Sequence, residues 1–136
     1  MSPTASLALR RLLPAGVGIL GAYQVIQGLF MAAAPDTFFD KIGPFGPLNE
    51  HYVRDAATWS LAYGATLLVA VRRQSWRVPL LAFGLLQFGL HFVNHLVDAG
   101  SADPAWVGVF DAVALGLLGA MIGALLLAAR DEEVGR

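Results

Sequence analysis

The chain has 136 residues, of which 57% are hydrophobic and only 14% charged, with a net charge of −1 and no cysteine. One domain's length with so little charge excludes a disordered chain, a basic nucleic-acid binder and an ordinary water-soluble domain, so no nucleic acid is expected as a partner and a lipid bilayer is. The lack of cysteine removes disulfides, thiolate metal ligands, iron–sulfur clusters and a cysteine nucleophile together.

Residues 13–34 contain no charged side chain and follow Arg10 and Arg11. At about 1.5 Å per residue this run reaches about 33 Å, enough to cross a hydrocarbon core of about 30 Å. It also carries Gln24 and Gln27 and exceeds the roughly 7–15 residues of a secretory h-region, so a span is expected here, not a cleaved signal. Residues 35–48 follow with Asp-Thr-Phe-Phe-Asp and Gly-Pro-Phe-Gly-Pro. This composition breaks helices and offers aromatics at interfacial depth, which predicts a loop on the membrane surface, either a lid or a plain connector.

Asn49 is placed to N-cap a second span over residues 50–71, which Arg72 and Arg73 end. A third run covers residues 78–97 and a fourth residues 106–129. Connectors this short make consecutive helices antiparallel neighbours. The expected fold is therefore all-α, a four-transmembrane-helix antiparallel bundle in one membrane domain over 1–136. Small residues at Gly108, Ala112, Gly116, Ala120 and Ala124, with Gly119 and Gly123 beside them and Gly18, Gly21 and Gly28 in the first span, read as helix contacts. Trp59 reads as a packing residue, whereas Trp76 and Trp106 read as interfacial anchors.

Basic residues divide unequally between the two sides. Arg10, Arg11, Arg72, Arg73, Arg77, Arg130 and Arg136 fall on one, and only Lys41 and Arg54 on the other. The first side should be cytoplasmic, with both termini inside. Arginine outnumbers lysine eight to one, which points to a GC-rich bacterial genome, and the expected location is a bacterial plasma membrane. All three histidines then lie toward the outer side.

The third span carries the most informative pattern. At 100° per residue Gln87, His91, Asn94, His95 and Asp98 share one arc of about 100°, which must face the bundle interior, while Phe83, Phe88 and Phe92 lie opposite, toward lipid or apolar helices. The second span adds His51, Asp55 and Thr58 with Arg54 beside them; the fourth adds Asp111 and the first Gln24 and Gln27. Counted from the outer helix ends, Asp55, His91 and Asp111 fall at a common depth of roughly 7–10 Å. An ionisable group in hydrocarbon costs on the order of 2.5–3.5 kcal/mol, so the cluster needs partners and is a candidate site.

Three chemistries fit this cluster. His91 and His95, four apart on one face, could share a Zn, Fe or Cu ion completed by His51, Asp55 or Asp111, or His51 opposite one of them could form a haem ligand pair. The same histidines with Asp98 could act as acid and base on a quinone or isoprenoid. Arg54 could instead pair with Asp98 or Asp111 and the histidines bond across helices, which would make the cluster structural glue.

The segments Asn49-Glu50-His51-Tyr52-Val53-Arg54-Asp55 and His91-Phe92-Val93-Asn94-His95-Leu96-Val97-Asp98 resemble those of small four-helix bacterial membrane proteins grouped as DoxX-like. That resemblance implies association with quinone-linked redox systems, hence an accessory subunit of a larger membrane redox complex. The expected function is an accessory or redox-associated membrane protein that binds a metal or small ligand in its outer half. The alternatives are a membrane enzyme acting on a lipid-soluble small molecule and a purely structural protein.

Overall fold

A computed structural model describes residues 3–134, with side chains described from Leu12 onward. Arg136, and the side chains of Arg10 and Arg11 counted toward the orientation, lie outside the described residues. The chain forms five α-helices, α1 (Pro3–Ala33), α2 (Pro35–Lys41), α3 (Glu50–Arg72), α4 (Arg77–Asp98) and α5 (Ala105–Val134), with single 3-10 turns at Gln74–Trp76 and Ala99–Ser101. Among the described residues the only β pairing is one isolated bridge between Phe45 and Ala102.

Among the described residues three segments are long and apolar enough to cross a membrane, namely Leu12–Ala33, Gln74–Ser101 and Ala105–Val134. α3 is long enough but not apolar enough, because its first two turns carry Glu50, His51, Arg54 and Asp55. The outward faces of α1, α4 and α5 are rich in exposed large apolar residues, among them Ile26, Leu86, Val93, Val113 and Leu127. In water such a surface would be an aggregation liability; helices with this distribution are matched to an apolar solvent.

α1 packs along α3, and α4 along α5. The two pairs are joined mainly at the end that carries Arg72, Arg73, Arg77 and Arg130, where Leu13, Val17, Leu67, Leu81, Ile122 and Leu125 form one buried core. Toward the histidine end a second, smaller core of Met31, Val53 and Ala57 draws only on α1 and α3, backed by Phe38 of α2. The bundle is thus closed at the arginine end and parts between the helix pairs at the other.

Glycine sets the spacing of α1 and α3. A Cβ on Gly64 would approach the Gly21 carbonyl oxygen, the Val25 amide nitrogen and a Val25 methyl at 2.8 Å each, and one on Gly28 would meet the Ala57 carbonyl at 3.0 Å. Since two of the three Gly64 obstacles are backbone atoms, Gly64→Ala must separate the helices. A loss of about 1–3 kcal/mol is expected, read as a lower midpoint in detergent unfolding, whereas Gly119→Ala, which meets nothing within 4 Å, should change the midpoint little. In α5 the small-residue stripe holds as a contact at Gly108 and Ala112, which are buried, and at Gly116 beneath the Phe92 ring, but Ala120 and Ala124 are exposed.

Two local expectations need correction. The 35–48 segment is not all loop: Pro35 sits at the first helical position, where its missing N–H costs nothing, and α2 runs to Lys41 before Gly43-Pro44 and Gly46-Pro47 stop it. Gly46 takes φ +66°, which a side chain would resist. Phe88, expected opposite the polar arc and toward lipid or an apolar helix, does pack on a helix, its ring 5.9 Å edge-to-face from Trp59 of α3, but on the same inward side as the arc. The aromatic faces of α3, stacked as Trp59 on Tyr63 at 5.2 Å, draw it inward.

Candidate functional site

Where the helix pairs part, they enclose a cavity of about 960 Å³. This is at the upper end of the roughly 300–1,000 Å³ typical of small-molecule sites. Four amides line it, Gln24 and Gln27 from α1 and Gln87 and Asn94 from α4, together with His91, His95, Asp111 and Ser60. Beyond them toward the arginine end the walls are apolar, with Leu20, Phe88, Leu115 and Leu118. The floor is formed by Trp59 and Phe88, backed by Tyr63, whose hydroxyl donates to the Leu80 carbonyl at 3.1 Å. Gly84 makes room for that hydroxyl, since a Cβ there would collide with it.

The histidine end is covered by the segment after α2. Ile42, Gly43 and Phe45 line the cavity, and the Phe45 ring meets His95 edge to face at 4.9 Å. The Asp103 amide donates to the Pro44 carbonyl at 3.2 Å, which ties this cover to the α4–α5 connection. Of the two readings of residues 35–48, the geometry is that of a lid. On the side, Ile19 and Tyr23 of α1 and Leu117 and Met121 of α5 line the cavity while remaining exposed on the outer surface. The cavity therefore opens between α1 and α5, and the exposed lining residues Tyr52 of α3 and Leu90 of α4 open it between that second pair as well.

Gln24 stands apart from the other amides. It is fully buried, and among the described residues nothing hydrogen-bonds either its Nε2 or its Oε1. His95 Nδ1 is likewise buried without a partner. A buried amide left unpaired costs about 1–3 kcal/mol, so its retention calls for a reason outside folding. Gln24 lies nine residues from the Ala33 end of α1, about 14 Å along the axis, one turn outside the apolar Leu20.

The structure brings together Gln27, Gln87, His91, Asn94, His95 and Asp111 on the cavity wall, and His91 and His95 pack ring to ring at 4.7 Å. It does not bring His51, Asp55 or Arg54 there. His51 and Asp55 pair with each other at 3.4 Å, their side chains 87% and 66% exposed, and Arg54 bonds Glu50 at 2.9 Å instead of Asp98 or Asp111. Each pair sits four residues apart on α3, so partners within one helix satisfied them without a second helix. Asp98, at the end of α4, is not among the cavity residues.

The proposed metal set of His91, His95, His51 and Asp55 consequently does not assemble. Among the described residues no three His, Asp or Glu side chains are grouped to hold an ion. With His51 on the exposed face of α3, the suggested haem pair does not form either.

The ion pair that sequence reasoning missed lies at the opposite end. Arg77, 3% exposed, donates through Nη1 to both Glu132 carboxylate oxygens at 3.0 and 2.8 Å, through Nε to the Ala70 carbonyl at 3.0 Å and through Nη2 to the Val71 carbonyl at 2.7 Å. It caps the last turn of α3 and fastens it to α4 and α5. Counted only as a topological charge, it is a packing residue as well.

Comparison of the chain with family profiles, curated proteins and solved structures finds no match. The DoxX-like resemblance rests on the two segments around His51 and His91 alone.

Proposed function

We propose that the protein is a four-span integral membrane protein, both termini cytoplasmic, that binds a lipid-soluble small molecule in the cavity between its helix pairs. The observation that carries this reading is the fully buried, unpaired Gln24 amide at a cavity walled mainly by apolar and amide side chains, with His91, His95, Asp111 and Ser60 among them. The side opening between α1 and α5 supports it, because its exposed rim of Ile19, Leu117 and Met121 would admit a molecule from lipid. α3 spans in this reading with residues 56–71, about 24 Å, in hydrocarbon and its charged first two turns at headgroup level. The DoxX-like segments support an accessory role beside a larger membrane redox complex. A second reading, acid–base chemistry on the same molecule, is favoured by His91, His95 and Asp111 standing on one wall.

Native mass spectrometry of the protein released gently from its own membrane tests the binding reading. Wild type should carry an added small mass that Ala114→Phe, which fills the cavity from α5, lacks. A bare wild-type chain under conditions that preserve annular lipid would overturn it.

Orientation has its own test. Ser75 and Ser101 are exposed at opposite ends, and the chain has no native cysteine. A cysteine at 101 should react from outside whole cells with an impermeant maleimide and one at 75 should not; the reverse pattern would invert the protein in the membrane.

A further inference from the structure

Accepting the cavity as a ligand site, its lining also selects the head group of the ligand. We propose that the ligand is an uncharged amphipath whose head both donates and accepts hydrogen bonds, a hydroxyl- or amide-bearing lipid, held head-first by the Gln24 amide.

Charge excludes the anionic class. Among the described residues no lysine or arginine lines the cavity: Lys41 lies outside it, Arg54 is held by Glu50, and the remaining arginines stand at the opposite end. A phosphate or carboxylate head would be desolvated with no counter-charge, which is far costlier than burying a neutral polar group. A cationic head fits no better. The one carboxylate on the wall, Asp111, lies within electrostatic reach of His95. Trp59 is stacked on Tyr63, Phe88 packs edge-to-face with Trp59, Phe45 with His95 and Phe38 with Phe30, while the remaining lining rings, Tyr23 and Tyr52, are exposed, so no buried aromatic cage is left for a cation.

The amides then choose among neutral heads. Gln24 offers two N–H donors and a carbonyl acceptor, all buried and unpaired. A head with acceptors alone would engage Nε2 and leave Oε1 unpaired in an apolar surround. A hydroxyl or primary amide satisfies both, and Gln27, Gln87 and Asn94 repeat the same two-way chemistry around it. The apolar chain of such a molecule would run past Leu20 and Leu118 and leave through the gap between Ile19 and Leu117.

Trp59 lines the cavity and reports on it. With Trp76→Phe and Trp106→Phe, it becomes the sole tryptophan of the chain. The protein in phosphatidylcholine vesicles would be titrated with one alkyl chain, brominated near its head, carrying an alcohol, a primary amide, a trimethylammonium or a carboxylate kept ionised by alkaline buffer. The alcohol and the amide should quench Trp59 saturably, at concentrations at least about tenfold below either ion, the ratio expected for one hydrogen-bonding or charge mismatch. Gln24→Leu should abolish the saturable part. Saturable quenching by an ionic head equal to that by the alcohol, or quenching indifferent to Gln24→Leu, would overturn the head-group assignment and leave the ligand site standing. No saturable quenching by any of the four would overturn the ligand site and this inference together.

Discussion

Arg77→Met should cost about 3 kcal/mol or more of stability, the largest loss expected from any single charged-to-apolar change in this chain. Breaking a buried ion pair from one side typically costs about 3–5 kcal/mol, because the remaining charge keeps its desolvation and loses its partner. Here Glu132 is 20% exposed, so some water reaches it and the lower end of that range applies. Against this, the same substitution also strips the Ala70 and Val71 carbonyls of their donor at the end of α3. Arg77→Lys should recover only part of the loss, since an ammonium can meet Glu132 but lacks the planar fork that reaches two carbonyls at once. Arg77→Met with Glu132→Leu should lose less than the sum of the two single changes, as expected for partners in contact. Unfolding midpoints in mild detergent, with the exposed Arg73→Met as control, measure each. A loss for Arg77→Met no greater than for Arg73→Met would show that the pair contributes nothing.

The helices were legible because hydropathy has long periods and hard stops. Apolar runs ended by Arg72-Arg73 and begun by Asn49 became helices whose ends fall close to those signals, and the Asn49 side chain does accept the Tyr52 amide at 3.1 Å. The polar arc of α4 was legible for the same reason: Gln87, His91, Asn94 and His95 fall on one helix face and all line the cavity, although His91 and Asn94 stay exposed there. Relations between helices were not legible. Sequence spacing says that Arg54 and His51 have polar neighbours, but not that Glu50 and Asp55 on their own helix would take them before another helix could. Nor does it distinguish Gln24 from Gln27: both interrupt a charge-free run, and only the packing of α1 on α3 fully buries the first and leaves the second half-buried. The Arg77–Glu132 pair left a faint signal. In antiparallel neighbours the start of α4 and the end of α5 must meet, and the first carries Arg77 while the second carries Asp131, Glu132 and Glu133 after an apolar run.

Gln24→Leu should do two opposite things, raising stability by about 1–3 kcal/mol while abolishing ligand binding. The gain follows from the removal of an amide whose donors and acceptor are both buried and unpaired, replaced by an apolar side chain of similar volume next to Leu20. Most core substitutions destabilise, and those that stabilise cluster where function has been kept at the expense of packing. The sign therefore decides between the two roles. Were Gln24 an interhelical fastener, leucine would remove a hydrogen bond and cost about 0.6–1.7 kcal/mol, the range found for such bonds in membranes. Gln87→Leu supplies the comparison: it lines the same cavity, is only half-buried and has no unpaired buried atom, so its change should be smaller. The measurement is the unfolding midpoint of each variant together with saturable quenching of Trp59. A higher midpoint with binding lost marks Gln24 as a residue held in place by a ligand. A lower midpoint would assign its amide to the fold, and the cavity would lose the feature that most clearly distinguishes it from a gap between helices.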